Sequence, residues 1–281
     1  YVAYNIYRCR VEEAKQKYGE VGIGFAKSLW DATIEENILV VCKTPMARSI
    51  TKRTLAGFRP VRVNAQYYKD LIQNISERPE LVVNTFRDGK RFWKTNNNTN
   101  MKLDAIVGNP PYQVMQTTEK TTSTQAALAG AVYPQFMDVS CKLKPKYSSL
   151  ITPSRWMTKA GRGISDEWVN RMIQSNHFIK VHDFPITTDV FSNVEIKGGV
   201  NYYLYSDSYT GKCKYFFHKA DKIYTRDENL DSLGIGIVIR DLEASNIIKK
   251  VVASEGEYIG EKSFASLVAS GTLFCDCAKT T

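Results

Sequence analysis

The sequence has 281 residues, enough for one large domain or two small ones. Its hydrophobic content of 43% can build a sizeable core, and its net charge of +9 favours anionic partners, nucleic acid first, although the charge can also serve solubility alone. No apolar run reaches the ~18 residues that cross a bilayer, and no signal peptide is visible, so we do not expect a membrane protein or an exported one.

The cysteines and histidines show no metal-binding pattern. There is no C-x-x-C pair, and the histidines have no ligand spacing, so we expect no metal site. Cysteines that stay reduced, in a chain without an export signal, predict a cytoplasmic protein.

The first part of the chain reads as helix, strand and helix. Helical spacing over residues 3–18 predicts a helix that ends at Gly19. The apolar run at 36–43 predicts a buried strand. Thr44 is a suitable cap for a helix that runs from Pro45 to Gly57.

A polar segment with basic and aromatic residues follows at 84–100. We interpret it as a solvated insertion, with a contact to a nucleic-acid backbone as the alternative. The sequence then predicts a strand at 103–109, a Thr/Ser loop at 117–124 and a helix at 128–143.

Strands continue to alternate with helices in the second half. The predicted elements are, in chain order, a strand at 147–154, a helix at 164–174, strands at 178–185, 198–206 and 213–218, and a helix at 241–252. Because Gly211 lies in the polar link between the last two strands, we predict that they form a hairpin. The pattern indicates an α/β fold with a doubly wound, mostly parallel sheet and a closing antiparallel hairpin.

The segment "DAIVGNPPY" carries the strongest chemical signal. The strand must stop at Asn109-Pro110-Pro111-Tyr112, because proline has no N–H to donate to a sheet. The Asn109 carboxamide and the Pro110 carbonyl can accept both hydrogens of an exocyclic amine, held in place by the rigid Pro110-Pro111 backbone. Tyr112 offers a face on which a base can stack.

Asn-Pro-Pro-Tyr resembles motif IV of the amino-methyltransferases that use S-adenosylmethionine. The segment "YSSLITPSRWMTKAGRG" resembles motif VI, and "HDFPITTDVFSNVEIKGGVNYYLY" resembles motifs VII and VIII, of restriction–modification adenine methyltransferases of the Eco57I-like, type IIG sort. The resemblance covers about residues 36–270. It implies a class I, Rossmann-like methyltransferase that takes S-adenosylmethionine as cofactor and double-stranded DNA as partner, and methylates N6 of a flipped adenine.

The resemblance also assigns residues to the target site. Phe191 occupies the position of a second aromatic face against the adenine, with an ordinary core residue as the alternative. Arg155 and Trp156 follow a strand at the same sheet edge: Trp156 would line the pocket, and Arg155 would bind a phosphate or a neighbouring carboxylate. The predicted nucleic-acid contacts are Arg155, Trp156, Lys159, Arg162 and Lys197.

The cofactor half departs from the family pattern. The glycine-rich motif I is not found, and its nearest match, residues 22–25, reads as a loop. Cys42 stands where the family has an acid that binds the ribose, and Lys43 and Thr44 follow it. We therefore expect a catalytic domain over 1–270 that lacks its first strand and motif I, with 271–281 as a tail or the start of a linker. Its further partners would be the missing N-terminal and target-recognition domains of the same polypeptide.

Two other functions stay open. Protein-glutamine and RNA-guanine methyltransferases also use Asn-Pro-Pro-Tyr, because their acceptor is likewise a planar nitrogen. The lack of motif I and the presence of Cys42 also fit a fragment without cofactor that only binds DNA.

Overall fold

The computed structural model describes residues 1–95, 100–113 and 130–255. The chain divides into two compact units, Tyr1–Lys102 and Leu103–Thr281. The elements of the first unit are α1 (Val2–Tyr18), α2 (Ile23–Glu36), β1 (Leu39–Cys42), α3 (Pro45–Ala56), β2 (Asn64–Tyr67), α4 (Leu71–Glu77) and α5 (Pro79–Arg87). No helix in these described ranges is long and apolar enough to cross a membrane.

The first unit is built around the parallel strands β1 and β2, with Leu39 opposite Asn64. The prediction for α3 is confirmed at both ends. The Thr44 hydroxyl accepts a hydrogen bond of 3.0 Å from the Ala47 amide, and Gly57 closes the helix in the left-handed conformation at φ +57°.

Two other predictions in this unit have different outcomes. The helix over 3–18 is confirmed, since α1 ends at Gly19. The loop predicted at 22–25 is wrong, because α2 starts at Ile23 with Gly22 as its N-cap. Glycine is tolerated at that position, and the Ala26 amide donates to the Gly22 carbonyl at 2.9 Å, which closes the first turn of the helix.

The segment predicted as a solvated insertion is largely not solvated. Its first residues belong to α5, and Phe92 and Trp93 pack against Phe86 with ring centroids 5.5 and 6.2 Å away. The interleaved aromatic residues therefore form a small core. Residues 96–99 of this segment and the predicted Thr/Ser loop at 117–124 lie outside the described residues.

The second unit alternates strands and helices as predicted. Its elements are β3 (Ala105–Gly108), α6 (Tyr133–Lys142), β4 (Tyr147–Pro153), a 3₁₀ turn (Ser154–Thr158), α7 (Asp166–Gln174), β5 (Phe178–Phe184), a second 3₁₀ turn (Thr187–Asp189), β6 (Val200–Tyr205), β7 (Cys213–Lys219), β8 (Lys222–Glu228) and α8 (Leu242–Glu255). A single core joins α6, α7 and one face of the sheet.

The sheet of the second unit has the order β3-β4-β6-β5-β7-β8. Strands β3, β4, β5 and β7 run in one direction, and β6 and β8 run in the other. The predicted α/β class is confirmed: four of the six strands share one direction, and the sheet is mixed because β6 lies antiparallel between β4 and β5. The carboxyl ends of β3, β4 and β5 consequently lie at one edge of the sheet.

The predicted hairpin is one strand too early. Strand β6 inserts between β4 and β5 instead of pairing with β7, and the hairpin consists of β7 and β8, which close at Lys219 opposite Lys222. The segment at 207–212 crosses the amino end of β5, where the Gly211 amide donates to the Asn176 carbonyl at 3.1 Å. This crossing carries β7 to the far side of β5.

Candidate active site

The edge of the sheet formed by the carboxyl ends of β3, β4 and β5 gathers most of the predicted site. Residues 109–112 follow β3, residues 154–162 follow β4, and residues 185–199 link β5 to β6. Ligands of open α/β sheets bind at this kind of edge. The structure therefore brings the Asn-Pro-Pro-Tyr segment, the basic segment after β4 and the Phe191 segment to the same side of one sheet.

Asn109 leaves the end of β3 with its side chain exposed. Gly108, the last residue of β3, pairs with Leu150 of β4, and the prolines end the ladder there. Pro110 is buried and fixes the backbone beneath Asn109. The Asn109 carboxamide makes no hydrogen bond to any other residue in the described ranges, so its oxygen can accept from a ligand.

Tyr112 is half-buried beside Tyr133, with ring centroids 6.4 Å apart and planes at 83°. Its carbonyl accepts from the Val132 amide at 3.1 Å, and Gln113 bridges to Ala131. Burial raises the pKa of Tyr112 to about 12, so its hydroxyl stays protonated at neutral pH. These contacts hold the ring in a fixed position next to Asn109.

The segment that carries Phe191 is fixed at several points. The Thr187 hydroxyl donates to the Ile196 carbonyl at 3.0 Å and accepts from the Ile196 amide at 3.3 Å. The Phe191 amide donates to the Thr187 carbonyl at 2.8 Å, and its ring is half-buried. At the end of the segment Gly199 has a φ of +76°, and a Cβ there would lie 2.0 Å from the Phe184 carbonyl oxygen. Only glycine fits where the chain turns into β6.

The predicted nucleic-acid contacts comprise four cationic side chains and one tryptophan, and the structure gives the two kinds different environments. Arg162 and Lys197 are exposed, and Arg155 is half-buried against Gly198, where a Cβ would lie 2.7 Å from the Arg155 Cγ. The Lys159 ammonium lies 3.8 Å from the Asp166 carboxylate. These four cationic side chains all follow β4 or precede β6, at the edge that holds Asn109.

Trp156 belongs to the core. Its side chain has 0% exposure and stacks on Phe178 with centroids 5.9 Å apart. A fully buried ring cannot contact DNA or line an open pocket, so Trp156 does not fit the role predicted from the sequence. It anchors the 3₁₀ turn that presents Arg155.

A buried network around Asp183 was not predicted from the sequence. The fully buried carboxylate accepts from the Ser154 hydroxyl at 2.6 Å, from the Tyr215 hydroxyl at 2.6 Å, and from Arg240 Nε and Nη2 at 2.6 and 2.8 Å. Asn201 extends the network by donating to Ser154 Oγ at 3.4 Å. The available signal was an acid at an inward position of the apolar strand "FIKVHDF". The network ties the ends of β4 and β5 together.

The three predicted cofactor residues belong to the first unit, at the end of β1. Cys42 is buried, with its sulfur 3.9 Å from the Thr51 hydroxyl. Lys43 is exposed, and the Thr44 hydroxyl is occupied as the cap of α3. None of the three offers the pair of acceptor oxygens that ribose hydroxyls need, so this donor set does not fit the ribose of S-adenosylmethionine.

The described residues hold no cluster of three or more His, Cys, Asp or Glu side chains able to bind a metal ion.

Two comparisons with known sequences both indicate a methylase. The sequence profile of the Eco57I restriction-modification methylase family matches residues 36–191. An uncharacterized adenine-specific methylase of Mycoplasma pneumoniae is 31% identical over 123 residues, which are 44% of this chain and 28% of that protein. The chain thus spans less than a third of that relative.

Solved structures show lower similarity. A nuclease-deletion mutant of the Type ISP restriction-modification enzyme LlaGI, in complex with a DNA substrate mimic, is 11% identical with a TM-score of 0.48, over 85% of this chain and 27% of that one. The M protein of the type I restriction enzyme EcoKI is 12% identical with a TM-score of 0.42, over 73% of this chain and 39% of that one. Similarity at this level does not assign a shared activity.

Proposed function

Because the chain belongs to the Eco57I restriction-modification methylase family, we propose that it methylates the N6 amino group of adenine in DNA, with S-adenosylmethionine as the methyl donor. The observation that carries this proposal is the free Asn109 carboxamide at the carboxyl end of β3, on a backbone fixed by Pro110 and Pro111. The net charge of +9 suits a nucleic-acid substrate.

The chemical task is to make a weakly nucleophilic amine reactive. The lone pair of an adenine amine is delocalised into the ring. Asn109 Oδ1 and the Pro110 carbonyl oxygen can each accept one of the two amine hydrogens, which draws the nitrogen toward sp³ geometry and localises its lone pair. Because the prolines fix the backbone, both acceptors are already aimed before the base arrives.

The target base must leave the duplex to reach these acceptors. Tyr112 then provides one stacking face, held in place by Tyr133. Strands are spaced by ~4.8 Å, so the ends of β3 and β5 lie roughly 14 Å apart. Side chains that reach inward from both ends can enclose one base, with Phe191 as the second face.

Phosphate contacts are assigned to the basic side chains at the same edge. Arg155, Lys159, Arg162 and Lys197 would hold the DNA backbone on either side of the flipped nucleotide. The methyl donor is not assigned to Cys42, Lys43 and Thr44, because their side chains do not fit its ribose.

Asn109→Ala tests the proposal. Tritiated methyl transfer from S-adenosylmethionine to double-stranded DNA should fall about 10²-fold, the usual cost of one missing polar contact in the transition state, while DNA binding stays within twofold, as roughly expected for a small contact. Asn229→Ala is the matched control: this asparagine is exposed after β8, at the opposite edge of the sheet, and should retain full activity.

Three results would contradict the proposal. Equal losses of methyl transfer and DNA binding would deny Asn109 its role in activating the amine. Transfer to RNA or to a glutamine peptide in place of DNA would change the substrate. Transfer to none of them by the folded chain would show that this chain alone does not perform the reaction.

A further inference from the structure

The first unit contains a basic pocket with no role in the proposed methyl transfer. Its volume of about 450 Å³ is within the usual range for ligand sites, ~300–1,000 Å³. It opens between α3, the loop that leads into β2, and the residues after α5. The cationic residues that line it are Arg48, Lys52, Arg53, Arg59, Arg62 and Lys94.

Most of this positive charge is not neutralised by the protein. Arg59 pairs with Asp31, and Arg48 Nε donates to the Ala65 carbonyl at 2.9 Å. By contrast, no carboxylate within the described ranges lies at ion-pair distance from the other four cations, which are Lys52, Arg53, Arg62 and Lys94. A bound anion would relieve their mutual repulsion.

The surroundings of Lys52 are consistent with this repulsion. Partial burial lowers its pKa, and the charges of Arg48 and Lys94 lower it further. A multivalent anion in the pocket would therefore interact favourably with several cations at once and raise the pKa of Lys52 back toward its usual value.

Phe58 stands at this pocket in an unusual conformation. Its side chain is 85% exposed, and its φ of +61° lies in the left-handed region, which residues with a Cβ avoid. An exposed aromatic ring held in a strained backbone is the kind of outlier that marks a binding site. The pocket thus combines a flat apolar face with several cationic side chains.

We propose that this pocket binds a nucleotide, with Lys52, Arg53 and Arg62 on its phosphates and Phe58 stacked on its base. Paired bases in a duplex already stack on one another, so the base must be unpaired. A free nucleoside triphosphate and a nucleotide within single-stranded nucleic acid share this chemistry.

The pocket is distinct from the candidate ribose site in the same unit. Strands β1 and β2 are parallel, so Cys42 and Tyr67 mark their carboxyl ends. The pocket takes in the loop before β2 together with Asn64 and Gln66 of β2, and its lining does not include residues 42–44. The residues that would hold its ligand are therefore different from those at 42–44.

Two titrations on the full 281-residue chain separate the two sources of nucleotide. The first follows fluorescence anisotropy of a labelled single-stranded oligonucleotide, and the second follows ATP by calorimetry without magnesium. Tighter binding of the oligonucleotide assigns the pocket to single-stranded nucleic acid, and tighter binding of ATP assigns it to free nucleotide. If neither binds, the proposal is wrong.

Substitutions test whether the nucleotide binds in this pocket. Lys52→Met and Phe58→Gly should each weaken the tighter ligand about tenfold, the effect of losing ~1.4 kcal/mol. Lys27→Met removes the same charge from an exposed position of α2 outside the pocket and should change binding less than twofold. Equal losses in Lys52→Met and Lys27→Met would show general charge attraction and overturn the proposal.

The Phe58→Gly variant also controls for folding. Glycine accepts the left-handed backbone without strain, so the melting temperature should not fall when binding does. Inorganic triphosphate that binds as tightly as ATP would overturn the stacking role of Phe58. Asn109→Ala should bind the nucleotide normally, so failure of the methyl-transfer proposal and failure of this one are distinguishable.

Discussion

The ends of β3 and β5 lie at the same edge of one sheet, yet their polar residues have opposite environments. At the end of β5 the Asp183 carboxylate is fully buried and accepts four hydrogen bonds from Ser154, Tyr215 and Arg240. At the end of β3 the Asn109 carboxamide is exposed and, within the described ranges, accepts none. The polar group that holds the fold together is saturated by the protein, whereas the polar group that we propose binds the target base is left unsaturated.

Asp183→Ala should have the largest effect on stability. The substitution leaves Arg240 as a largely buried, unpaired charge, and breaking such a pair lowers the free energy of unfolding by about 3–5 kcal/mol. Urea denaturation measures this loss. Asp227→Ala is the control, since Asp227 is exposed on β8 and its loss should cost within ~0.5 kcal/mol. Similar values for the two variants would remove the contrast between saturated and free groups.

His182 precedes Asp183 and lies on the opposite face of the sheet. Its ring stacks on Tyr202 and Phe216 with centroids 4.7 and 4.2 Å away, and its Nδ1 lies 3.1 Å from His218 Nε2. Burial, and then the charges of His218 and Lys180, lower its pKa to about 4. The folded protein therefore favours the neutral ring.

This shift predicts an intermediate effect on stability. The unfolded chain takes up a proton near pH 6.5, so the stabilising contribution of neutral His182 is complete above that pH and is lost as the pH falls toward about 4. The urea midpoint should decrease between pH 7 and pH 5, by less than the loss in Asp183→Ala, because water screens a half-exposed ring.

His182→Phe isolates the source of that pH dependence. Phenylalanine keeps the stack on Tyr202 and Phe216 but cannot take up a proton, so the midpoint should vary less between pH 7 and pH 5 than in the unmodified chain. Tyr202→Phe keeps both the stack and His182, so it should retain the original dependence. If both variants behave alike, His182 is not the group that titrates.

Asn109→Ala should have the smallest effect on stability. Its side chain has no partner to lose among the described residues, so the free energy of unfolding should change by less than ~0.5 kcal/mol. Thermal melting beside the methyl-transfer assay measures both properties of one variant. A clear drop in melting temperature would show that Asn109 supports the fold and would remove the contrast with Asp183.

The sequence was sufficient where local patterns decide the structure. Helix α3 has its cap, its proline and its closing glycine within its own segment, and strands β4 and β5 each have a proline at or just after their carboxyl end. Strand β8 was missed because "KIYTRDE" has almost no apolar face. The hairpin was misplaced because turn residues at 207–212 do not determine which strand the chain pairs with next.

The same limit applies to the candidate site: features set by local sequence could be predicted, and features set by contacts between distant residues could not. The Asn-Pro-Pro-Tyr segment could be placed from sequence, because prolines end a strand wherever they occur. The Asp183 network could not, since Arg240 is 57 residues away along the chain. Trp156 was assigned to DNA for a similar reason: its position after β4 is visible in the sequence, but the rings of Phe178 and Trp168 that enclose it are not.

The position of β6 between β4 and β5 has a consequence for the order of assembly. Neither β4 nor β5 can complete its pairing until Val200–Tyr205 has left the ribosome, so the central part of the sheet closes late. The β7–β8 hairpin, in contrast, joins neighbouring segments and can form quickly by itself. During synthesis β4 therefore waits with one edge unpaired, which is the interval in which a nascent chain is most prone to aggregate.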